Sequence, residues 1–287
     1  MSNVKIIVDS SCDIPQERLT DLDLTLIPLS VVFGDEHYRD YDEMNADKFA
    51  ALLKQSKANP TTALTSLEEV SDVMRKFIDE GNDIVAATLS SAGSGTFSVF
   101  NMAKKALEEE AGHELPIRII DSRAFTLGHG MPVYDAVRMR DEGAGFNDIA
   151  DMLEKSYAEG EYIFWALLSD LNFLKRGGRL KAGAAVLGGI LGIVPILSVE
   201  DGLVVPKAKA RGFDKAFEVL LESIEKDFPS KKIQRFAIVH HGIEDKVKKL
   251  VALLNEKFEL ETEIDVVSPH GTIMTHSGAN FLAVAYK

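Results

Sequence analysis

A single cysteine, Cys12, in 287 residues leaves no partner for an intramolecular disulfide, so the core alone must hold the fold. Positive charge is also in short supply. Against 45 acidic residues stand 32 lysines and arginines, a net charge of -13 that repels nucleic acid and anionic lipid surfaces and argues against both as partners. No apolar run is long enough for a spanning helix. The longest, 182–197, is broken by Gly183, Gly188, Gly189, Gly192 and Pro195, so stable membrane insertion is not expected. The opening Met-Ser-Asn-Val-Lys-Ile-Ile-Val lacks the apolar centre of a secretory signal, which points to a cytoplasmic protein. Histidines show no paired spacing with cysteine or carboxylate, and no metal is expected. What is present is ample apolar material: 46% hydrophobic residues exclude a disordered chain and suit one large or two modest domains.

The pattern along the chain is that of an α/β protein. Val4 to Val8 is a β-branched run interrupted only by Lys5, the signature of a strand buried on both faces, and it ends on Asp9-Ser10-Ser11. Ile27 to Phe33 reads as a strand, 45–57 as a helix, and Ser66 with Glu69 as a capping box opening a helix to Asp79. Strands at 84–89 and 117–120 alternate with helices at 97–109, 125–139 and 148–158. This first half reads as a mostly parallel, doubly wound sheet with flanking helices. After Gly160 the rhythm changes. Strands at 162–168, 193–199 and 203–209, the last two joined by the hairpin pair Asp201-Gly202, open a mixed or antiparallel sheet with helices at 213–227 and 245–258. Two domains are therefore expected, 1–160 and 161–287, with a ligand cleft between them.

Chemistry concentrates in a few stretches. Ser90-Ser91-Ala92-Gly93-Ser94-Gly95-Thr96 lies between a strand and a helix, where unpaired amides and the helix dipole favour an anion such as a carboxylate or phosphate. An ordinary tight connection capped by Ser94 or Thr96 fits the same residues. Thr61 and Thr62 sit in a proline-stiffened stretch whose hydroxyls suit an oxyanion, and Thr275-His276-Ser277 in a glycine-punctuated loop can add donors. Between Leu171 and Phe213 lie Lys175, Arg176, Arg179, Lys181, Lys207, Lys209 and Arg211 against only Glu200 and Asp201. In that basic island Arg176 and Arg179 bracket two glycines and can grip an oxyanion in bidentate fashion, whereas Lys207 and Lys209 read as a solvated hairpin edge. The following strip, 182–193, is small and apolar throughout. Its glycines suit either a tightly packed helix or the wall of a narrow tunnel for an acyl chain, shaped with Phe97 and Phe100.

The same glycine-serine loop bears on two enzyme classes. A nucleophile elbow needs glycines two residues either side of its serine, and Ala92 and Thr96 stand there instead. A dinucleotide-binding oxidoreductase built on Gly93-x-Gly95 is the alternative function, with Asp121 ending the next strand. Ser98 replaces its third glycine, and the unit falls in mid-chain.

Taken in order, 8–15, Pro60-Thr61-Thr62, Ser90 to Phe97, Leu174 to Leu180 and Thr275-His276-Ser277-Gly278 resemble the DegV family of bacterial fatty-acid-binding proteins over the whole chain. The resemblance implies a two-domain α/β protein that is a carrier and not an enzyme, with no cofactor and one long-chain fatty acid between its domains. It puts Thr62, Ser94 and the Gly95 amide on the carboxylate with His276 beside them, and Thr61, Arg176, Arg179, Thr275 and Ser277 around them for ligand or partner. It further implies a separate ATP-dependent kinase that phosphorylates the bound carboxylate, the acyl phosphate feeding phospholipid synthesis. Two departures bear on ligand choice: Ala63-Leu64-Thr65 stands where relatives usually carry serine-glutamine-proline, and Cys12 replaces a common threonine or alanine.

Overall fold

The computed structural model describes residues 3–181 and 192–287. Its first strand, β1 (Val4–Asp9), is buried along nearly its whole length, as a β-branched run interrupted only by Lys5 requires. A 3-10 turn, Ser10–Cys12, and α1 (Gln16–Asp21) lead to β2 (Leu24–Ile27). The single strand expected from Ile27 to Phe33 is in fact two. Pro28, which has no amide hydrogen to give a ladder, separates β2 from β3 (Ser30–Phe33). Then follow β4 (Glu36–Arg39), α2 (Ala46–Gln55), β5 (Thr61–Ala63), α3 (Leu67–Asp79), β6 (Asp83–Thr88), α4 (Thr96–Ala111), β7 (Ile117–Asp121), α5 (Leu127–Asp141) and α6 (Phe146–Glu159). Half of the expected capping box forms: Ser66 Oγ accepts the Glu69 amide at 3.0 Å, while the Glu69 carboxylate turns to Thr65 and Arg39.

The order β2-β1-β6-β7, all parallel, makes the doubly wound sheet. Ile7, Ile84 and Ala86 meet α3 and α4 on one face, and Ile6, Val8, Val85 and Ala87 meet α5 and α6 on the other. Phe100 is fully buried in the first of these clusters, so it packs the sheet and shapes no tunnel. The stretch 59–66, expected as a loop, carries β5, which completes a small antiparallel sheet in the order β4-β3-β5.

The second half consists of β8 (Ile163–Leu168), α7 (Asn172–Gly177), β9 (Ile193–Glu200), β10 (Leu203–Arg211), α8 (Gly212–Asp227), β11 (Lys232–Ile233), β12 (Phe236–His241), α9 (Glu244–Lys257), β13 (Glu259–Leu260), β14 (Asp265–Val267), α10 (Gly271–Ser277) and β15 (Phe281–Tyr286). Its main sheet runs β10-β9-β8-β15-β12-β14, antiparallel except at the β12-β14 edge. Asp201 and Gly202, with φ of +51° and +75°, make the tight turn between β9 and β10 that the sequence signals. Of the apolar strip, 182–191 lie outside the described residues. One face of the sheet is covered by α8 and α9. The other, with Ala166, Leu168, Leu197, Phe281 and Ala283, turns toward β3, α2 and α5 of the first half.

The stretch 270–278, expected as a loop, holds the short helix α10, because buried carboxylates from the first half satisfy its free amides. Asp40, fully buried, accepts the amides of Gly271 at 2.8 Å and Thr272 at 2.9 Å. Asp13, also fully buried, accepts the His270 amide at 2.8 Å and the Thr126 hydroxyl at 2.5 Å. Ser10 Oγ adds a contact of 3.2 Å to Thr272 Oγ1, and the Tyr41 and His270 rings stack 3.4 Å apart. Removing the Asp40 carboxylate leaves two buried amides unpaired, at about 1 to 3 kcal/mol for each donor. We therefore expect Asp40→Ala to lower unfolding free energy by at least about 2 kcal/mol in urea titrations, with Asp40→Asn intermediate because it keeps one acceptor.

Candidate functional site: an apolar slot with a polar wall

In the parallel sheet the chain order reverses between β1 and β6, and their carboxyl ends open the crevice where doubly wound sheets take ligands. Asp9 ties these two ends together. Its carboxylate accepts the Ser11 amide at 2.9 Å, the Ser11 hydroxyl at 2.6 Å and the Leu89 amide at 2.6 Å, so it is a structural brace for the loop that follows β6. In that loop the Ser90 carbonyl accepts the amides of Gly93 and Ser94, both at 3.0 Å. Ser90 Oγ donates to the Gly202 carbonyl at 2.6 Å, fastening the loop to the β9-β10 hairpin. Ser94 Oγ lies 3.0 Å from Thr96 Oγ1 and accepts the Thr96 amide at 3.3 Å at the start of α4, and Ser94 lines the crevice.

Below this loop lies a slot containing about 740 Å³ of atom-free space, its opening included, of which about 70 Å³ is wide enough for the centre of a water molecule. The space is narrow. Phe164, Ala166 and Leu168 of β8, Leu197 of β9, Val204 of β10 and Phe281 with Ala283 of β15 supply its second-half wall. Leu29, Leu89, Phe125 and Leu174 close it further. The polar groups on it are Thr62, Ser94, Thr126, Arg179, Thr272, His276 and Ser277. These lining residues come from both sides of residue 160.

His276 is the pivot of the polar wall. Its Nε2 lies 3.4 Å from Thr62 Oγ1, and its Nδ1 is buried without a hydrogen-bond partner among the described residues. Gly177 makes room for the ring, since a Cβ there would collide with Nδ1. Burial, with the Arg179 charge adding to it, pushes the imidazole down to about 4, so His276 is neutral at pH 7 and offers hydrogen bonds in place of a charge. The cation on the wall is Arg179. Its Nε donates to the Gly93 carbonyl at 2.8 Å and its Nη1 to the Gly177 carbonyl, which locks the guanidinium between the two halves of the chain. Burial lowers its ordinary pKa, the cost of bringing a charge against apolar surface.

The other candidate residues occupy distinct places. The backbone of Gly95 lies under the Leu64 side chain, and Gly93 is the glycine that faces the slot. Thr61, Arg176 and Thr275 border a neighbouring cavity that shares Thr62, Arg179 and His276 with the slot. Thr275 Oγ1 donates to the Gly271 carbonyl at 2.8 Å and Ser277 Oγ to that of Gly278 at 3.1 Å. Arg176 stands over the Phe173 ring at 4.8 Å. Lys181 and Lys207 pair with Asp201 and Glu200 along the hairpin, a structural use of the basic island. Asp121, the residue a dinucleotide ribose would need, is occupied by the Ser91 amide, the Ser91 hydroxyl and the Arg123 amide. Among the described residues no group of three or more His, Cys, Asp or Glu side chains is placed to hold a metal ion, and no helix is long and apolar enough to cross a membrane. Sequence reading missed the β8 and β15 wall, although 164, 166 and 168, and 281 and 283, alternate at the strand period that marks one face.

The site is thus a narrow, mostly apolar slot bordered by hydroxyls, a neutral imidazole and one fixed guanidinium. A family model described as an uncharacterised protein of the DegV family matches residues 3–287, and the chain belongs to the DegV family. It is 31% identical to a DegV domain-containing protein of Clostridium perfringens over 99% of this chain and 98% of that protein. A Thermus thermophilus structure described as fatty acid binding of a DegV family protein superposes with a TM-score of 0.88, at 28% identity, over 99% of each chain. The structure of a stearic-acid-binding protein from Eubacterium ventriosum superposes with a TM-score of 0.82, at 25% identity, over 100% of this chain and 99% of that one.

The low His276 pKa carries a stability signature. Between pH 6.5 and about 4 the unfolded chain takes up a proton that folded His276 refuses, so its contribution to stability falls with pH across that window and levels off below it. The difference in unfolding free energy between the parent protein and His276→Gln should therefore shrink from pH 7 to pH 4. A pH-independent difference would show that His276 titrates normally in the folded state.

Proposed function

We propose that this protein binds one long-chain fatty acid, with its carboxylate against Thr62, Ser94, His276 and the amide of Gly95 and its tail along the slot. One observation carries the proposal: the polar wall of Thr62, His276 and Arg179 borders a slot whose remaining lining is mostly apolar. Each methylene taken from water is worth about 0.8 kcal/mol. A charge-assisted hydrogen bond adds about 1.5 to 3 kcal/mol. A long chain therefore supplies most of the affinity, and the head group sets direction. The solved relatives described as fatty-acid-binding and stearic-acid-binding support the same ligand class. Residues 1–160 and 161–287 act as two domains with the ligand between them, and the protein is a carrier with no cofactor and no catalysis of its own. Its place is the cytoplasm. There it presents the carboxylate to a separate ATP-dependent kinase, and the acyl phosphate formed feeds phospholipid synthesis.

Native mass spectrometry of freshly purified protein is the direct test, with a co-purified fatty acid expected and a bound nucleotide overturning the proposal in favour of an oxidoreductase. Ser94→Ala and Thr62→Ala should each weaken fatty-acid binding by about 1 to 3 kcal/mol, read by displacement of a fluorescent fatty acid. Unchanged affinity in both variants would remove the head group from this wall. For the kinase partner, Arg176→Glu should cut kinase-dependent acyl-phosphate formation while leaving fatty-acid affinity within about twofold, because Arg176 lies outside the slot. Undiminished phosphorylation would exclude Arg176 from the partner surface.

A further inference from the structure

His129, in the first turn of α5, has no part in the clamp or the polar wall. It is fully buried, and among the described residues neither of its ring nitrogens has a hydrogen-bond partner. Unpaired nitrogens in a dry interior are costly, and a leucine of similar bulk would fill the same space without that cost. Two glycines seat the ring. At Gly130 a Cβ would collide with the Cys12 carbonyl, and at Gly128 it would press on Ala124 and Phe164, so α5 closes tightly on the turn after β1. That approach leaves His129 Nε2 3.9 Å from Asp9 Oδ2, too long for a hydrogen bond and about 1 Å from becoming one. Three carboxylates face the ring: Asp9 on β1, Asp13 after the turn that follows it, and Asp121 at the end of β7. Tyr157 of α6, whose hydroxyl donates to the His129 carbonyl at 2.7 Å, and the Cys12 thiol are held uncharged by burial. Burial of the imidazole outweighs the pull of the three acids and lowers its pKa, and the start of α5 adds partial positive charge. His129 is therefore neutral at pH 7 and takes up a proton in acid.

The consequence of that proton falls on Asp9. Oδ2, the oxygen that faces the imidazole, is the one that accepts the Leu89 amide at 2.6 Å, while Oδ1 holds both Ser11 donors. Leu89 lines the slot, and the loop it opens carries Ser94 to the same slot. An imidazolium beside Oδ2 is a charged donor, stronger than a neutral amide and in direct competition with it. We propose that His129 and Asp9 form an acid-operated latch: protonation closes the ring onto Oδ2, weakens the bond to Leu89 and loosens the slot wall between Leu89 and Ser94. The latch does not require a lipid in the slot, and only its effect on ligand release rests on the fatty-acid reading.

The test follows the Leu89 amide and the His129 ring by NMR in the whole, isotope-labelled protein from pH 7 to pH 4.5. An amide proton bonded to a carboxylate resonates downfield, so in the parent the Leu89 signal should move upfield with the same midpoint as the His129 ring titration. In His129→Leu it should stay downfield across that window. His129→Gln, neutral at every pH, is a second variant that serves if the leucine disturbs packing. A Leu89 amide that is unmoved while His129 titrates, or that moves equally in parent and variant, overturns the latch, as does a His129 ring that stays neutral down to pH 4.5. Oleate release from the same samples, read by stopped flow, separates the latch from the fatty-acid reading. On acidification release should quicken about tenfold more in the parent than in His129→Leu, since protonation of oleate itself is common to both. Equal quickening beside a coupled Leu89 and His129 titration supports the latch and overturns its effect on release. Absence of oleate binding by the parent counts against the slot and leaves the latch to the NMR result.

Discussion

Everything at the site depends on a buried ionic clamp at the start of α10. Asp40, at the end of β4, and Asp13, after β1, hold the first amides of a helix that belongs to the other half of the chain. Both carboxylates are fully buried, and burial raises the pKa of Asp40, a direct sign of the cost of holding a charge away from water. That cost is offset because the Asp40 oxygens meet the Gly271 and Thr272 amides, those of Asp13 meet the His270 amide and the Thr126 hydroxyl, and the helix end supplies partial positive charge. The consequence is positional. With its first turn pinned, α10 carries His276 to Thr62, and the partition between the two cavities follows.

The polar wall carries little net charge of its own. His276 is neutral because its surroundings are dry, and Arg179 is held by the carbonyls of Gly93 and Gly177 instead of by an acid. A carboxylate-paired arginine would be satisfied before any ligand arrived. A carbonyl-held one is oriented yet keeps its charge uncompensated, which is what an acidic guest needs. Gly177 serves the same end from the other side, since any side chain there would displace the His276 ring. Ser94 accepts the Thr96 amide at the start of α4 and also lines the slot.

Most elements were legible because their patterns are local. The β-branched run of β1, the Asp201-Gly202 turn and the Ser66 cap each depend on neighbours within a few residues, and each forms as expected. The misreadings share a cause: long-range contacts overrode local appearance. A glycine-punctuated stretch became α10 only because Asp13 and Asp40 reach it from more than 200 residues away. The stretch from Pro60 became β5 because β3 offered an edge to pair with. Phe100, expected to shape a tunnel, packs instead against Ile7, Ile84 and Ala86 of the sheet, since helical period sets the direction of its side chain.

The sequence alone determined the α/β class, the buried first strand, the acidic character that sets the basic island apart, and the motifs that mark the DegV family. These follow from composition and short-range spacing. Only tertiary structure decided that Thr62, Ser94, Arg179 and His276 meet at one wall, that strand residues of the second sheet line the slot, and that a basic cavity stands behind it. The physical reason is that a binding site is a set of distances between residues remote in the chain, and those distances are fixed by packing and by buried carboxylate-amide bonds, which no local pattern records.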